Sequence, residues 1–109
     1  MIVRDLKHIS MRTTNYNLPN GKENTPYLGV IITFPYDIST LSFKLTIKGC
    51  LTLIEGRGIM KNGNSIEIMK GWMITIKNGT YPYDLLVSEF GKPKDRPISG
   101  TITIEETIG

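Results

Sequence analysis

"LSFKLTIK" (residues 41–48) decides the fold class. Leu41, Phe43, Leu45 and Ile47 fall on one side of an extended chain, and Ser42, Lys44, Thr46 and Lys48 on the other. Side chains of a strand point alternately to opposite faces, so this octet reads as a strand with one face in a core and one in water. "WMITIK" (72–77) groups Trp72, Ile74 and Ile76 in the same way, and "TITIE" (101–105) groups Ile102 and Ile104. "YLGVIITF" (27–34) is continuously apolar, the pattern of a strand covered on both faces. The expected core is Ile31, Phe43, Leu45, Ile47, Leu51, Leu53, Ile66, Trp72, Ile74, Ile76, Ile102 and Ile104.

Composition points the same way. The 109 residues include 16 Ile and 12 Thr but no alanine and no glutamine. Alanine is the best helix former, whereas β-branched side chains lose rotamer freedom in a helix and pack well on a sheet. The expected fold class is all-β: one antiparallel β-sandwich or small β-barrel over residues 1–109. It should hold about seven to nine strands at the usual spacing, with at most one or two short helical turns. The length suffices for one hydrophobic core without disulfides or metal.

Turn chemistry supports strands. Asn-Gly occurs at 20–21, 62–63 and 78–79, and both residues tolerate the positive φ of a type I′ turn. A two-residue loop at Asn78-Gly79 would pair Ile76 with Tyr81, Ile74 with Tyr83 and Trp72 with Leu85. Pro82 lacks the N–H its partner would want, so pairing should bulge or stop there, on an edge. Residues 83–91, "YDLLVSEFG", suit a strand slightly better than a capped helical turn. Residues 10–26 read as a long flexible polar loop, and residues 91–97, "GKPKDRP", as a basic one.

The letters "TFPYDI" (33–38) return as "TYPYDL" (80–85), with "GVIIT" (29–33) and "GWMIT" (71–75) before them. Repeat units over 28–56 and 71–107 would imply two similar β units around a pseudo-two-fold axis. In each, Pro fixes φ, Asp bonds backbone N–H groups and Tyr rests on the core: a corner where the chain leaves a strand. Symmetry could bring Asp37 and Asp84 together as an acid dyad. The glycine that would let backbone approach such a dyad is missing from both copies.

Other chemistry is thinly represented. One histidine, His8, excludes a catalytic triad or a His-rich metal site, and it reads as structural in an N-terminal strand. One cysteine, Cys50, reads as a small buried hydrophobe. No phosphate loop and no calcium-type carboxylate cluster is present, so neither catalytic residue, metal nor cofactor is expected. The N-terminus brings charge too early for a secretion signal, and no apolar run is long enough to span a membrane, so a cytoplasmic location is expected. An Ile/Lys/Asn-rich vocabulary fits the AT-rich genome of a phage or low-GC bacterium.

Three functions fit such a chain. The favoured one is a non-enzymatic binding or assembly module, engaging a protein partner or a second copy of itself through loops or an edge strand. Its candidate residues are Tyr36, Asp37, Tyr83 and Asp84 at the two corners and Lys92, Lys94 and Arg96 in the basic loop. The net charge of +3 permits a second, a barrel that binds single-stranded nucleic acid through Lys44, Lys48, Arg57 and Lys61. The third is capture of a small ligand.

Overall fold

The alternating apolar positions converge on the inside of one curled sheet. The structure is a computed structural model that describes the backbone of residues 2–5 and the whole of residues 14–107. His8 and residues 10–13 of the expected loop lie outside the described residues. Among the described residues there is no helix. Ten strands occur: β1 (Ile2–Asp5), β2 (Thr14–Asn15), β3 (Gly21–Lys22), β4 (Val30–Thr33), β5 (Leu41–Ile47), β6 (Leu51–Glu55), β7 (Gly58–Asn62), β8 (Ser65–Ile68), β9 (Gly79–Glu89) and β10 (Lys92–Glu105). The count exceeds the expected range because β2 and β3 are two-residue strips laid along β10.

The sheet order is β1-β4-β8-β7-β6-β5-β9-β10-β2, with β3 also on β10, and the sheet curls into a half-barrel. Two register shifts on β10, between Pro93 and Asp95 and between Asp95 and Ile98, add to the twist. Residues 23–29 join β3, at one end of this order, to β4, near the other. At about 3.3–3.6 Å per residue they reach under about 30 Å, so the two ends of the sheet must approach each other. Residues 24–27 also pair with residues 71–74: the Asn24 N–H donates to the Ile74 carbonyl (2.9 Å), Ile74 N–H to Thr25 (2.9 Å), and Tyr27 N–H to Trp72 (2.8 Å).

β5 behaves as its letters require: Leu41, Phe43, Leu45 and Ile47 are buried while Ser42 and Lys44 face water. Leu53, Ile66, Ile74, Ile76, Ile102 and Ile104 are also in the core. Three expected core residues are not: Ile31, Leu51 and Trp72 are half-buried. On β4 the inward residues are Val30 and Ile32, continued by Phe34 just past its end, so the strand has one fully covered face rather than two, and parity turns Ile31 outward. Cys50 is exposed, not buried, because it ends the turn that joins β5 to β6, where its N–H donates to the Ile47 carbonyl (3.0 Å).

The Asn78-Gly79 hairpin does not form. Residues 71–74 pair with 24–27 instead, and β9 pairs with β5 and β10. β9 is therefore internal, not an edge. Pairing with β5 stops at Pro82, as its missing N–H dictates: Lys48 N–H donates to the Pro82 carbonyl (2.9 Å), and proline has nothing to return.

The two Pro-Tyr-Asp copies part company here. Residues 35–37 form a corner after β4, whereas residues 82–84 lie inside β9. The stretch 14–26 is also more ordered than a loop. Tyr16 N–H donates to Ser99 (2.8 Å), Leu18 N–H to Thr101 (2.9 Å), and Leu18 is buried. Gly100 makes this possible, since a Cβ there would lie 2.4 Å from the Tyr16 carbonyl oxygen.

Candidate functional site

Backbone strain marks two places. Among the described residues, three non-glycine residues have positive φ: Asn24 (57°), Met69 (53°) and Phe90 (52°). Asn visits this region readily, but for a bulky side chain it costs of order 1–2 kcal/mol. Strained residues persist where surrounding structure holds them, and they concentrate at functional sites.

Phe90 sits at the tip of the β9–β10 hairpin. Glu89 faces Lys92 in register, leaving Phe90 and Gly91 (φ 80°) as a two-residue loop with positive φ at both positions, the type I′ geometry. The ring is 83% exposed. Glu89 also faces Leu41 on β5, and the Thr40 hydroxyl donates to its carboxylate (2.8 Å), which ties the tip to the corner at 35–40. That hydroxyl, with Lys94 at 3.4 Å, holds the Glu89 carboxyl below the usual range.

The corner is built from side-chain-to-backbone bonds. Ser39 N–H and its hydroxyl both donate to Asp37 (3.0 Å each), and these bonds, with the charge of Lys61, lower the Asp37 carboxyl from its ordinary value. The Tyr36 ring packs at a tilt against Phe34 (centroids 5.7 Å apart), which packs likewise against Phe43 (5.3 Å). Burial, then the Asp95 charge, pushes the Tyr36 hydroxyl up from its ordinary value. One end of the half-barrel thus gathers Tyr36, Asp37, Phe90, Lys92 and Lys94.

The other expected partner-binding residues lie elsewhere. Tyr83 is in the core and donates its hydroxyl to the Tyr16 carbonyl. Asp84 pairs with Arg96 on the outer face of β9 and β10. Asp37 and Asp84 are engaged by different partners, so they form no dyad.

Of the four residues of the nucleic-acid alternative, Lys61 is committed. It pairs with Glu55 (3.7 Å), donates to the Ser39 carbonyl (3.4 Å) and lies 5.9 Å from the Phe43 ring centroid. Lys44 is flanked in register by Ile54 and Leu86, Lys48 caps the end of β5, and Arg57 lies in the turn between β6 and β7. The exposed aromatics are Tyr36, in the corner that Lys61 also reaches, and Phe90, at the hairpin tip two residues before Lys92.

Met69 marks the second place. Its N–H donates to the Gly58 carbonyl (2.7 Å), and its carbonyl accepts from Trp72 N–H (3.1 Å), closing a turn. Gly58 (φ 92°) leaves room for Trp72 and Leu53, whose atoms lie 3.2 and 2.5 Å from where a Cβ would stand. Two clefts, of about 380 and 310 Å³, meet at Met69 and Trp72. Sequence reasoning missed this cleft because Trp72 alternates with Ile74 and Ile76 as a core residue would.

Among the described residues no group of three or more His, Cys, Asp or Glu could hold a metal ion, and no helix is long and apolar enough to cross a membrane. The free Cys50 thiol is exposed, and slight desolvation raises it from its ordinary value. A scan against protein-family models finds no match for this chain, and a search of the curated proteins finds none either.

Proposed function

We propose that the protein is a non-enzymatic binding module that engages a protein partner through the hairpin tip and the adjoining corner at 35–40. Phe90 carries this assignment. A type I′ turn favours Asn or Gly at its first central position, yet a phenylalanine stands there, held at φ 52° with its ring in water. The fold gains nothing from that residue in backbone conformation and little in burial. Aromatic side chains, phenylalanine among them, are enriched in protein interfaces relative to the rest of the surface. Lys92 has no acidic partner among the described residues, whereas Lys94 and Arg96 are paired. The partner we infer offers an apolar socket for Phe90 rimmed by carboxylates.

The exposed free thiol of Cys50 suits the reducing cytoplasm of a bacterial cell, with or without a phage in it. Capture from the native cell tests the proposal, with Phe90→Asn and Lys92→Glu beside the unaltered protein and light scattering to detect self-association. A protein retained by the unaltered chain and lost with both variants is the expected result. Association with a second copy alone, or capture that survives both substitutions, would refute a hetero-partner at the tip.

A further inference from the structure

We propose that the cleft at Trp72 is a binding site for a small organic cation, an amine or guanidine carried on an apolar stem. It stands independently of the hairpin tip.

The cleft of about 380 Å³ lies between β7, the turn before it, Glu67 of β8 and the 69–72 turn. Its volume is within the range of about 300–1,000 Å³ usual for small-molecule sites. Ile59, Met60, Met69 and Trp72 supply apolar surface, and methionine adapts to varied guests. An indole ring is the strongest side-chain partner for a cation.

The polar groups divide into committed and uncommitted. Glu55 accepts the Phe43 N–H (3.1 Å) and pairs with Lys61, so both are occupied. Glu67 is different. Its side chain is only 15% exposed, between Ile31 and Met60 in register, and among the described residues it accepts no hydrogen bond. Among the described residues its one counter-charge is Lys70 at 3.7 Å, on a side chain 59% exposed. Charge-assisted hydrogen bonds run to about 2.7–2.9 Å, so this is a loose contact. A carboxylate drawn out of water without donors favours a guest that brings them. Lys70, three residues along the same chain, is the occupant such a guest would displace. The step is simple exchange: the guest ammonium takes the Glu67 carboxylate and the Lys70 ammonium returns to water.

Trp72 is the chain's single tryptophan, so its fluorescence reports a guest that reaches this ring, and the Glu67 and Lys70 variants assign the response to this cleft. Phenethylamine and agmatine serve as probes. Phenylethanol is the neutral control and 3-phenylpropanoate the anionic one. Saturable change is expected with the two cations. Glu67→Gln should weaken it roughly tenfold or more, the loss of a charge-assisted bond. Lys70→Met should tighten it several-fold, because it removes the competitor. Amide NMR spectra confirm that both variants remain folded. No saturable response, equal response to phenylethanol, preference for the anion, or weaker amine binding in Lys70→Met would each overturn the proposal.

Discussion

Replacing Phe90 by Asn should stabilise the protein. The backbone at φ 52° penalises a bulky L-residue by about 1–2 kcal/mol, most of which Asn escapes. Against that stands the burial given up. With the residue 83% exposed, about 35 Å² of a ~200 Å² side chain is covered, worth at most about 0.9 kcal/mol at ~25 cal/mol/Å². Asn retains part of that contact, so the net gain is about 0.5–1 kcal/mol. For a chain of this size that raises Tm by about 2–5 °C. Phe90→Ala is the control, since it removes the ring but keeps the strained backbone. Thermal unfolding followed by circular dichroism should therefore rank Asn above Phe and Asn above Ala. If Phe90→Asn melts no higher than Phe90→Ala, the turn does not strain its first residue, and the functional argument from Phe90 loses its basis.

Leu45→Ala should cost about 2–5 kcal/mol in denaturant unfolding, and Lys44→Ala under about 0.5 kcal/mol, because adjacent residues of β5 face opposite sides. Gly100→Ala should destabilise by about 1–3 kcal/mol or more, since its Cβ meets the Tyr16 carbonyl; hydrogen exchange should show Leu18 losing protection ahead of Leu45. The Asp37 and Glu89 carboxyls are lowered by hydrogen bonds, so the order they lend the corner and tip is present above the ordinary carboxylate range and is lost as pH falls through their depressed values. Carboxyl NMR titration checks this: Thr40→Val should raise Glu89 toward its ordinary value and leave Asp37 unmoved.

How far the letters determine the fold depends on the segment. β5 and residues 101–105 were legible because strict alternation specifies both strand and inward face. Residues 72–76 alternate just as well and bury Ile74 and Ile76, yet alternation does not name a partner, and the pairing with 24–27 is made by residues 71–74. Asn78-Gly79 has ideal turn chemistry, but Gly79 already opens β9, which pairs with β5 and β10 and not with residues 72–76. The two Pro-Tyr-Asp copies show tertiary context overriding local preference: β5 and β10 complete the ladders of residues 82–84, while residues 35–37 have no such neighbours and turn.

Punctuation likewise made part of the candidate site legible. Pro and Asp pointed to Tyr36 and Asp37, and the prolines of 91–97 to Lys92 and Lys94. Phe90 was hidden because phenylalanine is a poor turn residue, although Phe-Gly between Glu89 and Lys92 is itself a signal. Trp72 was hidden because a cleft forms only when distant segments, here 58–60 and 69–72, come together.

Cross-correlated relaxation of the backbone in solution gives φ at single residues without recourse to stability or binding. Positive φ at Met69 and Phe90 is the result expected if these two side chains are held in place against backbone preference. Negative φ at both would contradict it, leaving the tip an ordinary turn and the cleft an ordinary dent between strands.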